Sequence, residues 1–498
     1  MPEKNPCRCA AAERYTDWYL ITMLLVFPLF PGFSGYSNIT FSKFVFFLAV
    51  SGVWAVLLLI SLLRSRFLPR LDFPQSAALV FLVICTLSLL VSPNRAEAFL
   101  GAGRYDGWLT TAVCVLVFLG VSLCTVPKLL HARTFAISIS LCSLLALIQL
   151  TGRNPLNLYP KGLSYFDAGL RYTGSFLGTI GNTNILDAVL CLALPSFAAL
   201  YVCGQGWSFL IPLLLSVPVI LLAGGDGGHL ALAVTLLPAL PFLLTDAERA
   251  RRTLRLSGLL LFVSGLSLFW KPGAGNFRVF VYSSAAAALM GCGAVLSVLS
   301  FLRVRRSGPL KKTTLRRLSL FLCVLLLLGG AAAVLFWPAE SGTIYELRET
   351  LAGRADGGFG SSRLEIWKAC LALVPERPLL GGGPGTAALR LDIHFSRYVP
   401  ETGVTLRSYV DNAHNVYLGT LVNTGLLGLA GLFTVYVLSA CSGLRRRSDP
   451  LRLALLLGAF CCAVQEFFGL GMCISAPLLW ICLGMLCTFD SPQVIPDI

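Results

Sequence analysis

The sequence predicts an all-α, polytopic integral membrane protein with about 12–14 transmembrane helices and one long extracytoplasmic helical loop. Three observations favour this fold class. The 498-residue chain is 56% hydrophobic and only 13% charged, whereas a soluble protein carries about 25% charged residues. Uncharged apolar stretches of about 20 residues recur from end to end, as membrane spans require. The basic residues stand in short clusters between these stretches, which is typical of topology signals.

Each apolar stretch is interpreted as one span. The predicted spans lie near 18–34, 43–63, 75–92, 108–127, 134–151, 184–204, 208–224, 228–245, 255–270, 279–302, 318–337, 414–441, 453–468 and 473–488. The turn at Gly224–Gly228 is tight, so the spans on either side of it could be merged or shifted.

Alternate connections between the spans carry the basic clusters. The clusters contain Arg64, Arg66 and Arg70, then Lys128 and Arg133, then Arg249, Arg251 and Arg252, then the run from Arg303 to Arg317, and finally Arg445, Arg446 and Arg447. Basic connections face the cytoplasm. We therefore predict a multi-pass protein of the cytoplasmic (inner) membrane with both termini cytoplasmic.

The spans and connections define three regions. Residues 1–337 are predicted to form an N-terminal transmembrane bundle of about 11 spans, 338–413 an extracytoplasmic loop, and 414–498 a C-terminal set of about 3 spans. The loop of roughly 75 residues is much longer than a connector needs. A second, shorter outer loop covers 152–183. Long ordered loops usually carry function.

Composition also argues against several classes of protein. The net charge of +15 does not indicate a nucleic-acid partner, because the basic residues follow the span boundaries. Most of the 17 cysteines lie inside spans, where Cys acts as a small hydrophobe. No C-x-x-C is present, which argues against a zinc site or a disulfide framework. We expect neither a metal nor a cofactor. The lipid bilayer is an expected partner.

The long loop contains the stretch SSRLEIWKACLALVPERPLLGGGPG. Ser362 and Glu365 are spaced as a capping box, so a helix is predicted to begin at Arg363, and Pro375 limits its length. Arg363 would then lie at a helix N-terminus, where free N–H groups favour anions and a planar guanidinium can bind two phosphate oxygens. An exposed arginine paired with Glu365 or Asp356 is the alternative. The glycine run that follows is either a plain turn or a close approach of backbone to a ligand.

His414 lies where the long loop meets the next span. A neutral imidazole there can accept a proton from a sugar hydroxyl. Asp411 is close enough in sequence to orient the imidazole or raise its pKa, and Asn412 and Asn415 could bind sugar hydroxyls. A helix-capping histidine at the membrane interface is the alternative.

Further polar groups are predicted at the same side of the membrane. They are Arg104 and Asp106 before one span, Arg171, Asn182, Asn184 and Asp187 before another, and Asp226 and His229 beside the Gly224–Gly228 turn. Polar groups at the top of a span are costly unless they line a cavity. No Walker loop or Rossmann fingerprint is present, so an activated donor would have to be borne by a lipid.

Four blocks of the chain resemble the O-antigen ligase and O-antigen polymerase superfamily of bacterial membrane glycosyltransferases. They are SSRLEIWKACLALVPERPLLGGGPG, AHNVYLGTLVNTGLLGLAG, SPNRAEAFLGAGRYDGW and RYTGSFLGTIGNTN. The resemblance implies transfer of a glycan, with inversion and without a metal, from an undecaprenyl-diphosphate-linked donor to a glycan, lipid or protein acceptor. It implies that His414 activates the acceptor hydroxyl and that Arg363, Arg171 and Arg104 contact the donor diphosphate. Residues expected to contact sugar or orient the site are Asp411, Asn412, Asn415, Trp367 and Asn184.

One departure from the family pattern concerns the segment AGGDGGHLAL. Many members have an S-R-G block there, and this chain has Asp226 instead of an arginine. Either Arg171 or Arg104 supplies the missing charge, or the donor is held differently, or the chain is a catalytically inactive relative. A transporter or flippase of lipid-linked oligosaccharides is the alternative from another class. The sequence does not separate polymerase, ligase and protein O-glycosyltransferase.

Overall fold

The computed structural model describes most of the chain. The described residues are 10–65, 71–167, 175–272, 278–280, 283–301, 312–336, 343–354, 362–399 and 403–489, with the single residues 338, 340, 356 and 360. Arg171, Tyr172, Arg66, Arg70 and most of the basic run 303–317 lie outside them.

Helices form nearly all of the described structure. They are α1 (Ala10–Ile21), α2 (Ile39–Ser65), α3 (Phe73–Val91), α4 (Arg95–Leu100), α5 (Trp108–Cys124), α6 (Leu129–Gln149), α7 (Thr183–Val202), α8 (Leu210–Ala223), α9 (Asp226–Leu243), α10 (Ala247–Phe269), α11 (Ser284–Phe301), α12 (Lys312–Phe336), α13 (Thr343–Leu351), α14 (Arg363–Leu373), α15 (Val416–Arg445), α16 (Pro450–Gln465) and α17 (Ala476–Leu486). A π-helical segment, Thr22–Val26, extends α1. Within the described ranges the strands form three antiparallel pairs: β1 (Phe176–Leu177) with β2 (Gly181–Asn182), β3 (Trp270–Pro272) with β4 (Arg278–Phe280), and β5 (His394–Val399) with β6 (Val404–Tyr409).

The predicted fold class is confirmed. Eight of the described helices are long and apolar enough to cross a membrane, and shorter apolar helices such as α5, α16 and α17 occupy further predicted spans. The seventh and eighth predicted spans are separate helices, α8 and α9, on either side of Gly224–Gly225. The almost fully buried α7 lies at the centre of the bundle, where α6, α8, α9 and α16 pack against it.

The predicted span 414–441 is not one straight helix. Within α15, Gly425 has a φ of 69°, a left-handed conformation that breaks the helix. The rings of Tyr417 and Phe433 stack with their centroids 4.9 Å apart, although a straight helix would separate residues 16 apart by about 24 Å. The short segment before Gly425 therefore folds back against the longer segment after it.

The glycine run of the long loop packs into this break. The backbone N–H groups of Leu426 and Leu427 donate to the carbonyls of Pro378 and Leu379. In return, Gly382 and Gly383 donate to the carbonyls of residues 422 and 423. A break inside an apolar bundle leaves peptide groups that water cannot satisfy. The loop supplies their partners, so the close approach allowed by these glycines is to the protein's own backbone.

The long loop also contains an antiparallel hairpin, β5–β6, which the sequence analysis missed when it described the loop as helical. His394 pairs with Tyr409 and Val399 with Val404. Gly403, with a φ of 66°, lies in the connection between the strands. The loop is therefore mixed, with α13, α14 and this hairpin.

Candidate functional site

Five segments meet at the end of the bundle that carries the long loop, which we call the loop end. They are residues 101–107 before α5, the Gly224–Gly228 turn, the start of α14, residues 411–415 before α15, and residues 466–472 between α16 and α17. The contacts described below join them pairwise. Most of the predicted site residues that the structure describes lie in these segments, while Trp367 lies one turn into α14 and Asn184 in the first turn of α7.

His414 is held in an unusual backbone conformation at the start of α15. Its φ is 49°, a left-handed value that is uncommon outside glycine, although Asn, Asp and His adopt it more often than other residues do. Its backbone N–H donates to Oδ1 of Asn412 over 3.1 Å. On the other side, Asn415 caps α15 by accepting the N–H of Leu418 over 3.0 Å. Strained residues that the surroundings over-determine cluster at functional sites.

Trp367 fixes the same segment from the loop. Its indole Nε1 donates to the carbonyl of Ala413 over 3.1 Å. Its ring centroid lies 6.4 Å from that of Phe468. Trp367 therefore connects α14 to Ala413, the residue directly before His414. Its observed contacts hold this segment in place.

Arg104 and Asp411 form a two-pronged ion pair. Nε of Arg104 lies 2.7 Å from Oδ2 of Asp411, and Nη2 lies 2.8 Å from Oδ1. Such fork-to-carboxylate pairs are the strong, geometrically specific kind. The loop before α5 is thereby fastened to the segment that carries His414. Arg104, predicted to contact a diphosphate, already has two of its N–H groups engaged by Asp411.

Burial and neighbouring charge keep the His414 imidazole neutral. Burial is the main cause that lowers its pKa, to about 4, and the positive charges of Arg104 and Arg363 lower it further, while Asp411 acts in the opposite direction. The desolvated charged form is disfavoured, and nearby cations add to that cost. His414 can therefore accept a proton at neutral pH without first losing one.

Arg363 begins α14, as predicted, but the predicted capping box is not formed. Ser362 has a left-handed φ of 62° and its side chain makes no capping hydrogen bond. The reason is that an N-cap residue typically has an extended backbone, whereas that of Ser362 is left-handed. Nη1 of Arg363 donates to the carbonyl of Gly360 and Nη2 to that of Phe468, each over 3.3 Å. Its buried Nε has no partner among the described residues.

Asp226 lies in the same neighbourhood as Arg363. A Cβ on Gly227 would come within 2.5 Å of Cβ of Phe468, the residue whose carbonyl Arg363 contacts. Burial lowers the pKa of Arg363, and the negative charge of Asp226 raises it. Arg363 is thus a half-buried cation that faces a carboxylate where the family pattern has an arginine.

Asn184 contacts this site through the turn between α8 and α9. Its backbone N–H donates to Oδ1 of Asn182, which caps α7, and its carbonyl accepts from Nε2 of Gln465 over 3.3 Å. One turn further along α7, the buried carboxylate of Asp187 accepts the backbone N–H of Gly225. α7 thereby fixes the turn that carries Asp226.

Sequence reasoning missed Glu466 and Tyr436. Oε2 of Glu466 accepts the hydroxyl of Tyr436 over 3.0 Å, and its carbonyl accepts the N–H of Val416 at the start of α15 over 2.9 Å. The signal was present, because Glu466 is the single acid in the predicted span 453–468 and an ionisable residue inside a span is a functional candidate by default.

These features define a multi-pass membrane protein with a polar site of a half-buried histidine, paired charges and a half-buried arginine at one end of its bundle. Residues 274–433 match the family described as O-antigen ligase. The match covers part of the chain, and it confirms the resemblance to this family that was drawn from the sequence blocks. The matched region contains Arg363, Trp367 and His414. No curated protein matches the chain.

Proposed function

We propose that this protein is a glycosyltransferase that moves or polymerises a glycan from an undecaprenyl-diphosphate-linked donor onto an acceptor hydroxyl, at the outer face of the cytoplasmic membrane. The observation that carries the proposal is the meeting of His414, Arg363 and the Arg104–Asp411 pair at one end of the bundle. The family match over His414 and Arg363 supports it.

In the proposed reaction the acceptor hydroxyl attacks the anomeric carbon of the donor sugar. A new carbon–oxygen bond forms as the bond from that carbon to the phosphate oxygen breaks, so undecaprenyl diphosphate leaves. His414 accepts the proton of the hydroxyl. Arg363 stabilises the negative charge that develops on the leaving diphosphate, an electrostatic contribution that is usually large. The reaction requires no metal in this scheme.

The other site residues are proposed to support these two. Arg171 and Arg104 are further candidates for contact with the diphosphate, and Arg104 also holds Asp411. Asn412 and Asn415 fix the backbone on either side of His414. Trp367 and Asn184 are proposed to contact sugar from the loop and from α7.

We further propose that both termini are cytoplasmic. In this orientation residues 1–337 and 414–498 form the transmembrane regions, and 338–413 form the outer loop. The loop end then faces the outside, where lipid-linked sugars rather than nucleotide sugars would be available.

The test uses purified protein in detergent with an undecaprenyl-diphosphate-linked oligosaccharide, without nucleotide or added metal. Release of undecaprenyl diphosphate is compared between wild type, His414→Ala and His414→Asn. Asn tolerates the left-handed backbone at this position, so it separates loss of the base from distortion of the loop. We expect wild type to release undecaprenyl diphosphate and both variants to lose this activity. Full activity of either variant would remove His414 from its assigned role.

A transporter of lipid-linked oligosaccharides is the second candidate, and the broken helix α15 favours it. Transporters bind substrate at discontinuous helices. In proteoliposomes, movement of the lipid-linked sugar across the bilayer, with no release of undecaprenyl diphosphate from any donor, would support transport. A chain that does neither would be an inactive relative, in which Asp226 stands where an arginine is needed.

A further inference from the structure

We propose that the cavity between α3, α5, α15 and α17 is a sugar-binding chamber, in which Glu466 and Tyr436 hydrogen-bond the hydroxyls of one ring of a substrate glycan. This inference rests on the proposed function, because it names where part of a substrate glycan would lie. The cavity has a volume of about 130 Å³.

The break in α15 creates this cavity. Thr420 and Asn423, on the segment before Gly425, line one wall, and Tyr436, on the segment after it, lines another. A straight helix could not present both segments to one space. Discontinuous helices in membrane proteins are tolerated where the freed backbone is buried in protein or lines a cavity, and here the loop residues 378–383 bury it.

Glu466 is one of two acidic residues that line this cavity, the other being Asp106. Glu466 is only 7% exposed, and its Oε2 is engaged by Tyr436. Oε1 accepts no hydrogen bond from the described residues. A carboxylate buried in an apolar bundle is expensive unless its oxygens find donors. A sugar hydroxyl supplies such a donor, and the Tyr436 oxygen can accept one in return.

The remaining lining matches a polar ring better than a prenyl chain. The hydroxyl of Thr110 donates to the carbonyl of Tyr105 and that of Thr420 to the carbonyl of Val416, so their lone pairs stay available as acceptors. The Oδ1 of Asn423 is buried without a partner in the described structure. Trp480 adds an aromatic surface, as sugar sites require both apolar faces and a few fixed polar groups. An acyl or prenyl chain would leave these polar atoms unsatisfied.

The cavity adjoins the proposed catalytic group. Asn412 lines it, and the Oδ1 of the same residue accepts the backbone N–H of His414. Asp106, two residues after Arg104, lines it as well. A sugar in the chamber would therefore lie beside the segment that carries the base, and it could belong either to the donor glycan or to the acceptor glycan.

Equilibrium binding to the full-length protein in detergent tests this proposal and needs no turnover. The background is His414→Ala, so that donor is not consumed. The probes are undecaprenyl diphosphate, the same lipid carrying the oligosaccharide of the transfer assay, and that oligosaccharide free in solution. The variants are Glu466→Gln and Tyr436→Phe. The matched control is Glu376→Gln, which removes an exposed carboxylate from the loop.

Glu466→Gln is expected to weaken binding of one sugar-bearing probe about tenfold, the effect of losing a hydrogen bond to a charged group, and Tyr436→Phe to weaken it less. Affinity for undecaprenyl diphosphate should not change. If only the lipid-linked probe loses affinity, the chamber binds sugar of the donor. If the free oligosaccharide loses affinity, the chamber binds sugar of the acceptor.

Two results would overturn the proposal. An equal loss of affinity for undecaprenyl diphosphate would mean that the cavity holds the carrier lipid. Unchanged affinity for all probes in both variants would mean that the cavity holds no substrate. The outcome is separate from that of the transfer assay. If the protein transfers glycan but Glu466→Gln does not change binding, the sugar-binding chamber is wrong and the proposed transferase function is unaffected. If sugar binding depends on Glu466 but no transfer occurs, the chamber is supported and the proposed transferase function is not.

Discussion

His414 lies half-buried between two arginines, and these surroundings set the pH range in which it can act as a base. Its pKa of about 4 means that the imidazole remains neutral as the pH falls through 6.5, the ordinary value. Protonation removes the base. We therefore expect the acid limb of kcat/KM to lie well below pH 6, because kcat/KM reports the pKa values of the free enzyme.

Removal of the Arg104 charge should move the acid limb of kcat/KM to higher pH. Arg104→Gln takes away a cation that lowers the pKa of His414 and leaves the Asp411 carboxylate, which raises it, without its partner. The measurement is the pH profile of transfer in wild type, Arg104→Gln and the control Arg377→Gln, which changes an exposed arginine. An acid limb near 6.5 in wild type, or one that does not move in Arg104→Gln, would contradict this account.

The Arg104–Asp411 pair should behave as one unit. Arg104→Lys keeps the charge but loses the planar fork that binds both carboxylate oxygens. We expect Arg104→Lys and Asp411→Asn each to lower kcat/KM about tenfold, because a small misplacement of a catalytic group is costly. The double variant should be little worse than either single one, since residues in one ion pair are not additive. Fully additive losses in the double-mutant cycle would mean that the two residues act separately.

At the scale of elements, the break in α15 depends on one glycine. A Cβ on Gly425 would lie 2.2 Å from the carbonyl carbon of Leu379, and its left-handed φ disfavours any L side chain. Gly425→Ala should destabilise the protein by more than about 1–3 kcal/mol, since the backbone strain alone costs that much. The measurement is the thermal unfolding midpoint in detergent.

Gly291→Ala in α11 is the control for this effect, because no atom lies within 4 Å of the added Cβ. Its midpoint should be unchanged or slightly higher, as alanine favours a helix over glycine. An equal midpoint in Gly425→Ala and wild type would mean that the loop and α15 adjust freely to each other, and the break would then have no structural importance.

Sequence periodicity predicted where helices are, but not where a helix breaks. The apolar run through Gly425 reads as one span because Leu and Gly continue on both sides. The break is stabilised by Pro378–Gly383, some 40 residues earlier in the chain, and no local pattern contains that contact. Likewise Ser362 and Glu365 have the spacing of a capping box, yet the turn at Ser362 is left-handed. Local signals predict an element, and tertiary contacts decide its detailed geometry.

The candidate site was predictable to the extent that its residues lie at span ends. His414, Arg363 and Arg104 were found because each is polar next to an apolar run. Their pairing was predicted only in part. Asp411 was expected to orient His414 or raise its pKa, and its charge does act to raise that pKa, but its hydrogen-bond partner is Arg104. The two residues are 307 positions apart. They come together because α5 packs against α3 and α17, and both of these helices pack against α15.

At the scale of the whole molecule, the charged residues have different partners at the two ends of the bundle. Away from the loop end, Lys128 binds Glu13 and Asp17. The fully buried Arg452 donates to the carbonyls of Met485 and Leu486, which end α17. Lys128, which was interpreted as a topology signal, therefore also joins α1 to the start of α6. Arg452 lies at the C-terminal end of α17, where a cation is favourable.

This polarity makes the orientation in the membrane testable. If basic connections face the cytoplasm, the turn at Gly353 lies outside and the turn at Ser448 lies inside. Both positions are exposed and lie in turns, so short epitope insertions should be tolerated. In spheroplasts, antibody should bind the Gly353 insertion without permeabilisation and the Ser448 insertion only after it. The reverse pattern would place His414 and Arg363 on the cytoplasmic side, where a donor exposed on the outer face could not reach them, and the transferase would need a substrate on the inner leaflet.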